Sequence, residues 1–163
     1  MPQKINIQTQ ITMYESLEAL PSQDKKLLLE ARKASENAYA PYSNFHVGAA
    51  ILLESGEIIT GTNQENAAYP SGICAERTAI FWTGANRPKE KILAIAIAAR
   101  PANQEFVPIT PCGSCRQVLS EYENKQTEPI RMIMQAENGC FYALDSVSIL
   151  MPLKFSKDSL YIK

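Results

Sequence analysis

The chain has 163 residues, of which 45% are hydrophobic, and it carries a formal net charge of −1. This length fits one domain with an apolar core, so folding requires neither disulfide bonds nor a metal ion. The near-neutral charge, without a run of lysine and arginine, argues against a nucleic acid partner and predicts a small-molecule substrate.

The first residues and the cysteine content together predict a cytoplasmic protein. Residues 1–15 contain no apolar stretch followed by a small-residue cleavage site, so they do not resemble a secretory signal peptide. The longest apolar run, residues 92–99, is too short to cross a bilayer, and we expect no membrane partner. Because cytoplasmic thiols stay reduced, the four cysteines are expected to be metal ligands or redox groups.

The chain divides into an N-terminal arm and one domain. Residues 1–20 are polar and irregular and predict an arm or extension, whereas residues 21–163 are expected to form a single domain. The first helix is predicted over residues 24–39 because apolar side chains recur there at helical spacing, at Leu27, Ala31, Ala34 and Ala38.

Strands and helices then alternate along the chain. Five strands are predicted, at residues 47–53, 57–62, 92–98, 130–135 and 140–144. Helices are predicted at residues 74–85 and 112–123, with a short one at 146–151. Helices interleaved with five strands predict an α/β fold, a three-layer α-β-α sandwich around a five-stranded mixed sheet.

Three cysteines are placed where they could share one metal ion. Pro111 favours the start of a helix, and Cys112 and Cys115 lie three residues apart on one face of it. Cys74 lies at the start of the preceding helix, where the helix N-terminus lowers the pKa of a thiol. Three thiolates around zinc leave a fourth tetrahedral position open, which is typical of a catalytic site.

Charged residues accompany these cysteines. Three thiolates leave a zinc site with net negative charge, so we expect Arg77, Arg116 or both to neutralise it beside the ligands. Glu76 follows Cys74 by two residues, and a carboxylate beside a catalytic zinc can move protons between water and a leaving group.

Each of these residues also has a simpler interpretation. A C-x-x-C pair is typical of a redox dithiol or of half of a structural zinc site as well. Glu76 and Arg77 also fit a solvated pair on a helix surface. Cys140, in a predicted strand, is interpreted as a buried thiol, and His46, the single histidine, as a loop residue.

The cysteine segments resemble a known family. "CAER" at residues 74–77 and "PCGSCRQVL" at residues 111–119 are similar to segments of the zinc-dependent cytidine deaminases, in their small homotetrameric three-cysteine class. Residues 40–50 and 61–80 resemble further family segments in the expected order. The resemblance implies a cytidine deaminase-like fold, a Zn²⁺ cofactor, and hydrolytic deamination of cytidine and/or deoxycytidine to uridine or deoxyuridine with ammonia release, a reaction of pyrimidine salvage.

The resemblance also implies a set of site residues. Zinc would be held by Cys74, Cys112 and Cys115, and Glu76 would act as the acid and base. The free nucleoside substrate would bind through its ribose to Asn63 and Glu65. Phe45 would pack against the nucleoside, and the Ala75 backbone would contact the base amide. Tyr69 and Phe155 would belong to sites that neighbouring subunits of a homotetramer complete.

Other functions are compatible with parts of this pattern. A deaminase of the same fold could act on another aminated nucleoside or base. A non-catalytic zinc-binding module would need four protein ligands and would tolerate loss of Glu76. A thiol oxidoreductase would use only Cys112 and Cys115.

Overall fold

The computed structural model describes residues 2–160. In chain order its strands and α-helices are β1 (Thr12–Tyr14), α1 (Ser22–Ala34), β2 (Phe45–Leu53), β3 (Ile58–Thr62), α2 (Ala75–Asn86), β4 (Ile92–Pro101), α3 (Gly113–Gln126), β5 (Arg131–Gln135) and β6 (Phe141–Leu144). Short 3₁₀ turns occupy several of the connections. Within the described residues, no helix is both long and apolar enough to span a membrane.

The strands form one mixed sheet in the order β1-β6-β5-β4-β2-β3. β4 and β5 pair in parallel, because the chain crosses between them through α3, and the other neighbouring strands pair antiparallel. β2 and β3 form a hairpin whose turn contains Gly56 with a φ of 87°, a conformation that glycine adopts without strain. The predicted α/β fold class with a mixed sheet is confirmed.

The sheet has six strands rather than the predicted five. The additional strand is β1, which lies within residues 1–20 and pairs antiparallel with the edge of β6, with Met13 opposite Tyr142. A three-residue strand is too short to show a period of two, so the sequence pattern could not reveal it. Tyr14 and Leu17 are partly buried against the core cluster beneath α1, which holds this segment on the sheet.

Helices cover both faces of the sheet. On β4, Ala94, Ala96 and Ala98 pack on the α1 side, in a cluster that includes Leu27 and Leu28 of α1. Ile95 and Ile97 belong to the opposite cluster, beneath α2 and α3. Burial on both faces explains why the sequence of β4 is apolar without alternation.

The first helix ends earlier than predicted. α1 stops at Ala34, a 3₁₀ turn covers Ser35–Asn37, and Ala38 is already extended with a ψ of 138°. The Ser35 hydroxyl donates to the carbonyl of Arg32 at 2.6 Å. This local hydrogen bond within the last turn accompanies the change from α-helix to 3₁₀ turn.

Candidate active site

The topology brings distant segments together at one end of the sheet. β3 and β4 are both antiparallel to β2 and therefore run in the same direction. The loop after β3 leads into α2 and the loop after β4 leads into α3, so both helices begin at the same end. Cys74 and Cys112 are the residues that immediately precede these helices.

Three thiols meet where α2 and α3 begin. The sulfur atoms of Cys74, Cys112 and Cys115 all lie within 4.8 Å of one another, and those of Cys74 and Cys112 are 4.0 Å apart. Ligands of a tetrahedral zinc ion at a Zn–S distance of ~2.3 Å have sulfur atoms about 3.8 Å apart. The three cysteines therefore fit a zinc ion, whereas Cys140 lies outside this cluster.

The protonation of these thiols shows why the cluster suits a cation. A hydrogen bond with the Cys115 thiol lowers the pKa of Cys74 to about 5, with a further contribution from Arg77. The same hydrogen bond, together with burial, raises the pKa of Cys115. Sulfur atoms this close cannot all carry negative charge unless a positive charge lies among them.

The two arginines beside the cysteines make different contacts. Nη2 of Arg77 lies 3.7 Å from Sγ of Cys74. Nε of Arg116 instead donates to the carbonyl of Pro111 at 2.8 Å, across the turn that starts α3. Arg77 is thus placed beside a thiol, and compensation of thiolate charge by either arginine stays a prediction.

Glu76 lies in the first turn of α2 with only 4% of its surface exposed. Burial raises the pKa of its carboxyl group, and the nearby Cys74 raises it further. Ala75, the residue before it, is fully buried. The helix thereby places the carboxyl group of Glu76 next to the thiol cluster, in an environment that favours the neutral form of this carboxyl group.

A cavity of about 440 Å³ connects the thiols with the residues expected to bind a nucleoside. Its lining comes from the start of β2, the end of β3 and the two loops that lead to the cysteines: Ser43, Phe45, Val47, Asn63, Glu65, Cys74, Glu76, Ile109, Thr110 and Cys112. The structure therefore brings Phe45, Asn63 and Glu65 to the cavity that holds Glu76 and two of the cysteines.

Asn63 is fixed by the backbone of β2. Its Nδ2 donates to the carbonyl of Phe45 at 2.9 Å, and its Oδ1 accepts from the backbone N–H of Val47 at 2.8 Å. An amide side chain has two N–H donors, so one remains for a ligand in the cavity.

Glu65 is held by the turn that precedes β2. Its Oε2 accepts from the backbone N–H groups of Tyr42 at 2.9 Å and Ser43 at 3.2 Å, and its Oε1 accepts from the Ser43 hydroxyl at 2.5 Å. The hydrogen bond from Ser43, with those from the backbone, holds the pKa of this carboxyl below its usual value. Glu65 is therefore ionised at neutral pH and offers only acceptor atoms.

Tyr69 and Phe155 do not line this cavity. Tyr69 lies in a neighbouring cavity of about 500 Å³, where its ring meets Tyr42 edge to face at 6.4 Å, and 79% of its surface is exposed. Phe155 is 58% exposed, and its carbonyl accepts from the side chain of Gln117 at 2.9 Å. The cavity beside Tyr69 shares Asn63, Glu65 and Cys74 with the first cavity, but Glu76 does not line it.

Four residues of the cavity lining were missed by the sequence prediction, namely Ser43, Val47, Ile109 and Thr110. Ile109 and Thr110 lie in the loop before Pro111, and nothing in a loop pattern shows which residues face a cavity. Ser43 follows Pro41 in a segment that reads as an ordinary turn, and its partner Glu65 lies 22 residues away.

Comparisons with known proteins agree with this geometry. The family model for the cytidine and deoxycytidylate deaminase zinc-binding region matches residues 21–128. A cytidine deaminase of Sporosarcina psychrophila is 39% identical over 136 residues, which cover 83% of this chain and 93% of that protein. A cytidine deaminase of Halalkalibacterium halodurans is 46% identical over 99 residues, which cover 60% of this chain and 71% of that protein.

Solved structures give the same result. The crystal structure of a cytidine deaminase from Burkholderia pseudomallei superimposes with a TM-score of 0.68 and 35% identity, covering 83% of this chain and 100% of that one. The cytidine deaminase of Mycobacterium tuberculosis superimposes with a TM-score of 0.62 and 28% identity, covering 80% and 94%. Together with the three-cysteine cluster, these matches establish that the chain belongs to the family of zinc-binding cytidine and deoxycytidylate deaminases.

Proposed function

We propose that this protein catalyses the hydrolytic deamination of cytidine and deoxycytidine to uridine and deoxyuridine, with release of ammonia. The observation that carries the proposal is the cavity of about 440 Å³, in which Glu76 and two thiols lie together with Asn63 and Glu65. Glu76 and the thiols form one end of the cavity, where the base would react, and Asn63 and Glu65 form the other end, where the sugar hydroxyls would bind.

Zinc is the cofactor, and Cys74, Cys112 and Cys115 are the residues that would hold it. When bound, the ion supplies a Lewis acid that activates water for attack on C4 of the pyrimidine. Arg77, beside Cys74, would offset part of the thiolate charge.

The proton transfers fall to Glu76. Its carboxylate takes a proton from the attacking water and delivers it to N3 of the base. It then takes the second proton, from the new hydroxyl group on C4, and passes it to the amine nitrogen, so that the C4 carbonyl forms as ammonia leaves. Because Glu76 is buried on the first turn of α2, it is held in place beside the reacting atoms.

The sugar and base are oriented by the other residues of the cavity. The free N–H of Asn63 donates to a sugar hydroxyl and the Glu65 carboxylate accepts from one. Phe45 packs against the nucleoside, and the backbone of Ala75 contacts the base amide. The negative charge of Glu65 at the sugar disfavours phosphates nearby, which supports a free nucleoside as substrate rather than a polynucleotide.

We further propose that the enzyme is a cytoplasmic homotetramer in which neighbouring subunits complete each site, with residues 21–163 as the catalytic domain. This assembly is supported by the exposure of Tyr69 and Phe155, two aromatic side chains that lie outside the cavity of their own chain. Burial of such rings against another subunit would contribute favourably to association.

The activity is tested by incubating the zinc-loaded protein with cytidine, deoxycytidine and other aminated nucleosides, and separating the products by chromatography. The proposal predicts conversion of cytidine or deoxycytidine to the corresponding uracil nucleoside. Conversion of another aminated nucleoside, with neither of these two converted, would instead favour a deaminase of the same fold with a different substrate.

A further inference from the structure

The hydroxyl group of Ser43 connects two residues of the proposed nucleoside cavity. It donates to Oε1 of Glu65 at 2.5 Å and accepts from the backbone N–H of Phe45 at 3.0 Å. The backbone N–H of Ser43 donates to the other carboxylate oxygen at 3.2 Å. One serine therefore fixes the carboxylate relative to the first residue of β2.

The carboxylate of Glu65 depends on these contacts for its orientation. Glu65 is partly exposed, and among residues 2–160 it takes part in none of the ion pairs. Its Oε2 accepts two backbone hydrogen bonds, whereas Oε1 accepts only from the Ser43 hydroxyl. Since a carboxylate oxygen accepts two hydrogen bonds, Oε1 has one position left for a ligand.

The turn around Ser43 is itself defined by these hydrogen bonds. Asn44, which follows Ser43, has a φ of 53°, in the left-handed region that asparagine tolerates better than most residues. The contact from Phe45 N–H to the Ser43 hydroxyl spans this residue. Loss of the hydroxyl would free Oε1 of Glu65 and remove one hydrogen bond from the turn. The backbone hydrogen bonds from Asn44 N–H to the Ala40 carbonyl and from Ala102 N–H to the Asn44 carbonyl would still hold the turn.

We propose that Ser43 is a positioning residue for sugar recognition. Its hydroxyl holds Oε1 of Glu65 where that atom accepts a hydrogen bond from a sugar hydroxyl, so Ser43 favours nucleosides with hydroxylated sugars over those that lack these groups. This inference rests on the proposed function, because it assigns the sugar to the Glu65 end of the cavity.

The test compares two competitive inhibitors of cytidine turnover that differ only in the sugar, uridine and 2′,3′-dideoxyuridine. Ser43→Ala is expected to weaken uridine binding about tenfold, because an ionic hydrogen bond that orients the acceptor is lost. Binding of dideoxyuridine is expected to stay unchanged, since it lacks the 2′- and 3′-hydroxyl groups from which Glu65 would accept. Ser43→Thr keeps a hydroxyl and is expected to restore most of the uridine affinity.

A matched control comes from the turn between β2 and β3. The Ser55 hydroxyl also accepts from a backbone N–H two residues ahead, that of Glu57 at 3.4 Å, but it lies outside the cavity. Ser55→Ala is expected to leave both inhibition constants unchanged. In a Glu65→Ala background, Ser43→Ala is expected to cause little further loss of uridine affinity, because the two residues act through one contact.

Either of two results would overturn the inference: an equal loss of affinity for both inhibitors, which would indicate a general effect on the cavity, or no loss for either. Failure of the proposed function is distinguishable, because it would appear in the wild-type protein. A zinc-loaded wild-type protein that converts neither cytidine nor deoxycytidine would remove the proposed function and this inference with it.

Discussion

Arg77 lies beside a thiol that is expected to bind zinc. Its guanidinium lies 3.7 Å from Sγ of Cys74, and its positive charge helps to lower the pKa of that thiol. Arg116 neighbours a cysteine in sequence, yet its Nε donates to a carbonyl. In the sequence, both arginines were candidates for neutralising the thiolate charge because both lie near cysteines. In the structure, only the contact of Arg77 is with a thiol.

Replacing Arg77 by alanine is therefore expected to lower zinc affinity about tenfold, the usual size of such an effect for a residue that contacts a metal ligand. Competition with a chelator measures the affinity. Arg116→Ala serves as the control and is expected to retain zinc more tightly than Arg77→Ala. Equal zinc affinity in the wild-type protein and in Arg77→Ala would contradict this role.

Glu123 is a buried carboxylate that no sequence motif distinguishes. Only 7% of its surface is exposed, and it accepts from the backbone N–H of Ile130 at 2.7 Å and of Val147 at 3.1 Å, and from the Ser146 hydroxyl at 2.8 Å. It thus joins the end of α3 to the start of β5 and to the 3₁₀ turn after β6.

Glu123→Ala removes the acceptor of the Ile130 N–H group and of the Ser146 hydroxyl, whereas the Val147 N–H keeps its hydrogen bond to the Ile130 carbonyl. The substitution is expected to lower the free energy of unfolding by about 3 kcal/mol. Urea denaturation at a fixed protein concentration measures the change. Glu121→Ala, an exposed position on the same helix, is the control and is expected to have little effect. A loss of stability no larger than that of the control would show that the network contributes little.

At the scale of elements, the position of α2 depends on a glycine in β3. A Cβ atom added at Gly61 would lie 2.5 Å from the backbone nitrogen of Ala79 and 2.6 Å from the backbone oxygen of Ala75. The strand and helix therefore touch backbone to backbone. Because α2 begins with the residues that bear the thiol and the acid, this contact sets their distance from the sheet.

Gly61→Ala is expected to force α2 away from the sheet, with a loss of about 1–3 kcal/mol in stability. Because Cys74 and Glu76 would move with the helix, zinc affinity and kcat are expected to fall as well. Thr60→Ala, at the exposed neighbouring position, should leave both unchanged. Thermal unfolding and zinc titration of the two variants measure these effects, and wild-type behaviour of Gly61→Ala would refute the close contact.

Long elements could be predicted from the sequence because their patterns extend over several turns or pleats. The apolar run of β4 and the helical spacing of Leu27, Ala31 and Ala34 in α1 are examples. β1 and the end of α1 could not be predicted, since three residues carry no period and Ser35 acts through a local hydrogen bond. In the site, the cysteines and Glu76 could be selected from the sequence because their side chains can bind metal or transfer protons. Ser43 could be selected only from its contact with Glu65 in the structure.

For the whole molecule, two of the three aromatic residues expected at the substrate do not line the cavity of Glu76 within one chain, whereas Phe45 does. Tyr69 and Phe155 are both largely exposed and lie outside the cavity with Glu76. A homotetramer accounts for this arrangement if each ring enters or borders the site of a neighbour.

This assembly predicts a mass in solution of four times the 18.1 kDa of the chain, measurable by sedimentation. It also predicts complementation, because a mixed tetramer of Glu76→Ala and Phe155→Ala chains contains some sites with both residues intact. Co-refolded mixtures should then be more active than the average of the two separate variants. A monomeric mass, or activity equal to that average, would argue against shared sites.

The most direct test of the whole account is ammonia release from cytidine, measured for the zinc-loaded wild-type protein and for Glu76→Ala, with zinc content determined in both. The account predicts release by the wild-type protein and loss of nearly all of it in Glu76→Ala, while the variant keeps its zinc. Absence of release from a folded, zinc-loaded wild-type protein would contradict the proposed activity, and near-normal release from Glu76→Ala would contradict the role of Glu76 as acid and base.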